Sequence, residues 1–410
     1  MLTAASITTA DLMDLDRIVA RGMPHEEWRV LRREAPVKWF GFEGARPGFW
    51  AITKRADIVA LSKQPEKFLI GPRTAVFAES PPSSERTIQA RHLLTMDPPE
   101  HAAYRKLASG WFTPRAIEGR RPEITKLACE LLDRLAPAGE FDFVADFAAP
   151  LTLSVLADML GVPREDWPRL FDWTNRLIGS ADPEFQQGQT KLSDEQATLE
   201  TFAYFGELAA ERVKRPTSDL TSVLVNARIA GEPLPKLDLL SYYQLLVVAG
   251  NETTRNAASG GVMALIENPR ELARLRADPS LVDLAVEEVV RWTSPVVQFC
   301  RTSIEDFELR GQKIRAGESM CMFYGSANRD EEAFERPDEF RVDRSPNPHL
   351  GFGIGEHFCL GASLARLELR VIFAEVARRF ARLELVGEPP RMRSSLISGV
   401  KRMRVRYALS

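Results

Sequence analysis

The stretch Gly351-Phe352-Gly353-Ile354-Gly355-Glu356-His357-Phe358-Cys359-Leu360-Gly361 ends a glycine-rich loop on a cysteine and leads into a helix-forming run, Ala362-Ser363-Leu364-Ala365-Arg366-Leu367-Glu368-Leu369. Glycines let the backbone curl close to a flat ligand and aim N–H groups at the cysteine sulfur. The N-terminus of the following helix adds partial positive charge, and both effects favour thiolate. Two rival readings exist. Dinucleotide binding through GxGxxG fails in register, because Glu356 stands where the third glycine belongs and no strand clearly precedes the loop. A catalytic Cys359–His357 pair is weakened because residues two apart point to opposite sides of an extended chain, and no third group is apparent to orient the histidine.

Working outward, the chain has 410 residues, 44% hydrophobic and 27% charged, which is enough apolar material for one large core or two smaller ones. A formal net charge of -3 offers no electrostatic reason to expect nucleic acid as a partner. The N-terminal residues lack a basic cluster followed by an apolar core, and no apolar run reaches the ~20 residues of a spanning helix. The expectation is a cytoplasmic protein with no membrane span. Of four cysteines, Cys129, Cys300 and Cys321 read as small buried hydrophobes; no spacing suggests a disulfide framework or a zinc site.

Most of the sequence reads as amphipathic helix broken at Thr113-Pro114, Gly161-Val162-Pro163 and Asn268-Pro269. Short strand-like runs fall at Val37–Phe40, Phe49–Thr53, Val296–Arg301 and Met403–Ala408, so a small sheet is assembled from distant segments. That interweaving, with no repeat or low-complexity linker, predicts a single domain over residues 1–410. The stretches Ser80–Ser84 and Asp182–Asp194 read as mobile connections. The longest helix candidate, Leu239–Ile266, is about 28 residues or roughly 42 Å long. Its apolar half, Leu245-Leu246-Val247-Val248-Ala249, turns abruptly polar at Gly250-Asn251-Glu252-Thr253-Thr254-Arg255-Asn256.

Two further patterns carry charge. Glu288 and Arg291 in Glu288-Val289-Val290-Arg291 share a helix face and can pair, although such spacing is also common on surfaces. His101 and Arg105 lie one helical turn apart and, taken alone, read as a solvated face.

From Phe352 to Gly361 the sequence matches every defined position of FGxGxHxCxG, and so resembles the haem-binding signature of the cytochrome P450 superfamily. The resemblance extends over roughly Pro24 to Ser410. It implies the P450 fold, mainly α with a small β part and a long central helix over the haem, with haem b as cofactor. Cys359 would be the axial thiolate to iron, Phe352 would pack on the sulfur side with Gly353 in the same loop, and His101, Arg105, Arg301 and His357 would meet the haem carboxylates. Thiolate ligation favours O–O cleavage. Glu288 and Arg291 match the family's ExxR motif, and Phe334-Glu335-Arg336-Pro337 resembles the segment whose arginine, here Arg336, completes that network in a structural role. Ala249 to Thr254 resembles the oxygen-activation motif: Gly250 leaves room for dioxygen, the Thr253 hydroxyl can bond back to a carbonyl, and Glu252, given access to water, would relay protons.

The implied function is a monooxygenase inserting one oxygen atom from O2 into a hydrophobic small molecule. Leu245, Leu246 and Ala249, then Val296, Val297 and Phe299, and finally Leu396 and Ile397 align with the family's substrate-contact regions, as does Leu69–Phe77. They suggest an apolar substrate. The wording around Val247–Asn256 and Asn347–Gly353 is most similar to bacterial members acting on sterols, terpenoids and branched or long-chain lipids, while Arg73 and the Arg86–Arg91 stretch leave a carboxylic acid open. The haem resemblance leaves no length for a flavin or nicotinamide domain. Electrons are therefore expected from an iron–sulfur ferredoxin and its NAD(P)H-dependent reductase, with Lys106, Arg115, Arg120, Arg121, Arg366 and Arg370 forming a basic docking face. The competing classes are a peroxygenase or P450-fold isomerase, a haem-based sensor, and a haem-free cysteine hydrolase.

Overall fold

The computed structural model describes residues 2–44, 46–79, 91–135, 139–179, 182–185 and 192–409. The Ser80–Ser84 connection, residues 86–90 of the next basic stretch and residues 186–191 of the Asp182–Asp194 connection lie outside the described residues. The predicted long helix is present and extends beyond both expected ends, as Lys236–Glu267. It starts after Pro235, whose ring fixes φ, and stops at Asn268, because Pro269 opens the next helix and the residue before a proline is held out of helical geometry. Most of its length is buried. It is packed by Ala149–Leu160, Trp167–Ile178, Leu192–Lys214, Val282–Thr293 and Ala362–Arg379, which explains why no single apolar stripe marks its sequence.

Strand material comes from distant segments, as expected, but forms more than one sheet. The largest has the order Val37–Phe40, Phe49–Ile52, Ser319–Phe323, Gln298–Ser303, Phe68–Leu69, with only the Phe49–Ile52 and Ser319–Phe323 pair parallel. The C-terminal strand Arg404–Leu409 instead pairs with Phe380–Leu385 and Glu140–Asp142. The predicted strand Val296–Arg301 is shifted to Gln298–Ser303; Val296 makes an isolated bridge to Ile397. One helical stretch, Phe143–Leu160, is long and apolar enough to cross a membrane, and 78% of it is buried inside the structure.

The helix Val282–Thr293 ends at Ser294 in a left-handed conformation, φ 41°, and Pro295 follows. This sharp exit sends the chain from the ExxR helix straight into the strand that carries Phe299 and Arg301. The long helix, the helix Glu100–Ser109, this strand and the cysteine loop converge on one cavity.

Candidate active site

The cysteine loop is held by its glycines and by the ExxR helix. Gly353 and Gly355 have φ of 67° and 80°, and a Cβ on Gly355 would lie 2.2 Å from the Ser62 carbonyl oxygen. A Cβ on Gly351 would lie 2.5 Å from a methyl of Val290, so the loop rests directly on the ExxR helix. Within the loop the Cys359 N–H donates to the Phe352 carbonyl at 2.8 Å. Burial pushes the Cys359 thiol up, while the Gly361 backbone hydrogen bond and the charges of Arg105 and Arg366 pull it down. Phe352 lines the cavity with Cys359, and the Arg366 guanidinium lies over its ring at 4.4 Å.

Glu288 and Arg291 form a fully buried bidentate pair at 2.7 and 2.8 Å. The third member of the network is Arg344, whose Nε donates to both Glu288 oxygens at 3.1 and 2.9 Å. This corrects the expectation for Arg336, whose side chain is 57% exposed and pairs with Glu335 and Glu339. Arg336 has φ 45°, which turns its side chain outward, and only its carbonyl joins the network, accepting from Arg344. Arg291 also donates to the Asn328 carbonyl, and the Asn328 side chain accepts the Leu350 N–H at 2.7 Å. The pair is thus wired through Asn328 to the entry of the cysteine loop.

At one edge of the cavity stand His101, Arg105, Arg301 and His357. The His101 and His357 ring centroids are 4.1 Å apart. His101 Nδ1 lies 2.8 Å from Glu356 Oε1, and its Nε2 is buried without a hydrogen-bond partner. Burial, reinforced by Arg301, His101 and Arg105, pushes His357 down to about 2. A cationic edge with an orphaned imidazole nitrogen, on a cavity otherwise lined mainly by apolar groups and one cysteine, fits a flat apolar ring with two carboxylates and a thiolate-ligated metal.

Ala249, Gly250 and Thr253 line the cavity on the long helix, with Gly250 packed on Leu156. The Thr253 hydroxyl donates to the Ala249 carbonyl at 2.8 Å, the back-bond expected of it. Glu252 is fully buried, bonded to Arg255 and, at 3.0 Å, to Asn256; its other oxygen has no partner. The expectation of an acid with access to water is therefore corrected, because Arg255 and Asn256, one turn on, draw the carboxylate into the protein. Asn251 bridges Thr152 and Thr174 on the neighbouring helices at 2.8 and 3.1 Å, a role signalled only by its polarity in an apolar stretch.

Of the expected substrate contacts, Leu245, Leu246, Ala249, Val296 and Phe299 line the cavity. Val297, Leu396 and Ile397 are not among its lining residues. Val297 packs in a separate core cluster with Trp28, Phe49 and Phe323; its N–H is bonded to the Leu396 carbonyl, and Ile397 bridges Val296. The alternation of extended chain turns Val297 away when Val296 faces in. The Leu69–Phe77 segment also stays off the cavity, and Arg73 is buried, donating to the Gly48, Pro47 and Val76 carbonyls, so it is no carboxylate anchor. Leu94, Phe112, Leu156, Tyr242 and Tyr324 line the cavity without having been singled out. The basic face is also reduced: Arg366 pairs with Glu287, Arg370 with Asp283, Arg121 with Glu118 and Arg120 with Asp158. Among the described residues Lys106 and Arg115 carry no ion pair.

The family model described as Cytochrome P450 matches residues 140–406. A steroid C26-monooxygenase of Rhodococcus jostii is 39% identical over 97% of this chain and 84% of its own length. A methyl-branched lipid omega-hydroxylase of Mycobacterium tuberculosis is 39% identical over 92% of this chain and 90% of its own. Among solved structures, a Mycobacterium marinum cytochrome P450 in complex with pseudoionone superposes with a TM-score of 0.87 at 40% identity, covering 93% of this chain and 94% of that one.

Proposed function

The chain belongs to the cytochrome P450 family, a haem b monooxygenase acting on hydrophobic substrates, and from that premise we propose that it hydroxylates the terminal carbon of a branched alkyl chain on a sterol-, terpenoid- or lipid-like molecule. The observation that carries this reading is the composition of the cavity. Away from the His101, Arg105, Arg301 and His357 edge its walls are apolar, formed by Leu94, Leu245, Leu246, Val296 and Phe299. A charged substrate group there would lack a partner, so the substrate enters alkyl end first. Steroid C26 and the omega end of a methyl-branched lipid, the positions in the relatives' names, are both terminal carbons of such chains.

Haem b, when bound, supplies the activation of O2 for transfer of one oxygen atom to substrate. In this reading Cys359 holds the metal, and the cationic edge holds the carboxylates. The apolar walls orient the substrate and exclude water. Thr253 presents its hydroxyl at the cavity surface and would exchange a proton there, and Glu252, bonded to Arg255 and Asn256, would pass on a proton only after turning out to water and taking one up from it. Electrons come from a ferredoxin and its reductase; exposed Phe358, beside Cys359, with Lys106 and Arg115 supports a docking surface there. We read residues 1–410 as one cytoplasmic domain.

The deciding experiment is the absorption spectrum of the reduced, CO-bound protein, followed by product analysis with a panel of sterols, terpenes, branched lipids and fatty acids. A red-shifted Soret band that is lost in Cys359→His, with hydroxylation at a chain terminus, is expected. A globin-like band position sinks the haem-thiolate reading, and exclusive oxidation of rings or of carboxylate-anchored fatty acids sinks the substrate reading.

A further inference from the structure

Several polar groups on the cavity wall already have partners in the protein. Thr253 bonds back to the Ala249 carbonyl, Tyr242 donates its hydroxyl to the Tyr104 carbonyl at 3.3 Å, and Arg301 gives one N–H to the Cys300 carbonyl at 2.8 Å. Tyr324 differs from them. It lines the cavity and is only 5% exposed, yet its hydroxyl bonds to no described residue, and the oxygen is not sealed within the packing.

Strand alternation puts it there. The strand Ser319–Phe323 ends on Phe323, which packs with Trp28, Phe49 and Val297. Phe323 is still extended and the Tyr324 N–H donates to the Val297 carbonyl at 2.9 Å, so Tyr324 turns to the opposite face, into the cluster that holds Val296, Phe299 and, from the cysteine loop, Ile354. Its ring meets Phe299 edge-on, with centroids 6.2 Å apart. Arg301 is near enough for its charge to act on the phenol. Tyr324 thus stands where the Arg301 end of the cationic edge, the apolar wall and the cysteine loop come together. Burial holds the hydroxyl above the ordinary tyrosine pKa, with Arg301 opposing, so it keeps its proton and can donate.

An apolar wall needs no hydroxyl, since a phenylalanine would fill nearly the same space. In the filled cavity, water that could serve the phenol is displaced, and its acceptor must come from what fills the cavity. Arg301 selects the kind of acceptor. A guanidinium beside the phenol favours an anion, and an O–H···O⁻ bond is stronger than a bond between neutral groups. A substrate that enters alkyl end first brings no such anion.

We propose that Tyr324 is a haem-binding residue whose hydroxyl donates to the same haem carboxylate that Arg301 neutralises. This rests on the haem reading of the cavity. Arg301 supplies charge and Tyr324 a directed hydrogen bond, both from the paired strands rather than from the helix that carries His101 and Arg105. Removing the hydroxyl leaves the cation in place but frees one side of the carboxylate. Haem is then held less tightly, and the less neutralised carboxylate favours ferric iron, so the midpoint potential falls.

The test uses substrate-free holoprotein, wild type and Tyr324→Phe, after the reduced, CO-bound spectrum has established haem binding. Transfer of haem to a haem-free globin acceptor is expected to be about tenfold faster in Tyr324→Phe, with a lower midpoint potential. When both proteins are reconstituted with haem dimethyl ester, which carries no carboxylate charge, their release rates are expected to agree within about twofold. Wild-type haem transfer and potential in Tyr324→Phe overturn the proposal; if that variant instead binds keto- or hydroxyl-bearing sterols more weakly, the hydroxyl serves the substrate. A tenfold gap that survives esterification also overturns it, because the effect is then one of packing. So does a Tyr324→Phe chain that fails to fold with haem supplied, since a hydroxyl without a protein partner gives the fold no reason to depend on it. Absence of the haem spectrum from wild type overturns the underlying reading, and the proposal with it.

Discussion

Behind Cys359, Glu288 accepts hydrogen bonds from Arg291, Arg344, the Arg341 N–H and Asn347, while on the long helix Thr253 makes one bond, to the Ala249 carbonyl. The cysteine wall is over-determined: Glu288, Arg291 and Arg344 each have several partners, and the loop's backbone takes positive φ at Gly353 and Gly355. The long-helix wall is sparse, with small residues and one hydroxyl facing the cavity and its acid turned inward. A wall that must hold a fixed ligand benefits from redundancy, because an uncompensated buried charge is costly. A wall where small molecules and protons come and go needs groups that can change partners. Redundancy marks the fixed half of the site and sparseness the working half.

That contrast makes three predictions. The largest effect is expected from Glu288→Ala, which leaves Arg291 and Arg344 buried and unpaired. Stability should fall by about 3–5 kcal/mol, or folded holoprotein should fail to accumulate, measured by denaturant unfolding and haem content. A wild-type unfolding midpoint would break the comparison. Next, Thr253→Ala should lower product formation roughly 100-fold while unfolding and the reduced, CO-bound spectrum stay near wild type, since its one hydrogen bond is a back-bond within the helix. Loss of haem in that variant would mean the long-helix wall is structural after all. The smallest effect sharpens the network itself: Arg336→Ala should change stability by no more than about 0.5 kcal/mol, whereas Arg344→Ala should behave as a partial Glu288→Ala. Equal losses from the two arginines would reject the assignment of Arg344.

Legibility in the sequence followed the same division. The cysteine loop and the Glu288–Arg291 pair could be read because their geometry is local: a few glycines and an i, i+3 spacing fix the positions of the side chains. The long helix was readable from its length and from the Asn268-Pro269 break at its C-terminal end. Arg344 lies 56 residues from Glu288, and no local spacing distinguishes it from exposed Arg336. Glu356 was weighed only as the residue that spoils a GxGxxG register, although it holds His101 from 255 residues away.

By itself, then, the amino-acid sequence determined the mainly helical class, the thiolate loop, the ExxR pair and the small-residue step at Ala249-Gly250, since each depends on backbone conformation within a turn or two. Only the tertiary structure decided that Val297 faces a different core from Val296, that Arg366 and Arg370 are paired with acids instead of forming an open basic face, that Glu252 is enclosed by Arg255 and Asn256, and that one of two adjacent histidines has a carboxylate partner. These depend on which surfaces meet when distant segments pack, and on the sign of the charge that each meeting brings, neither of which is set by neighbours along the chain.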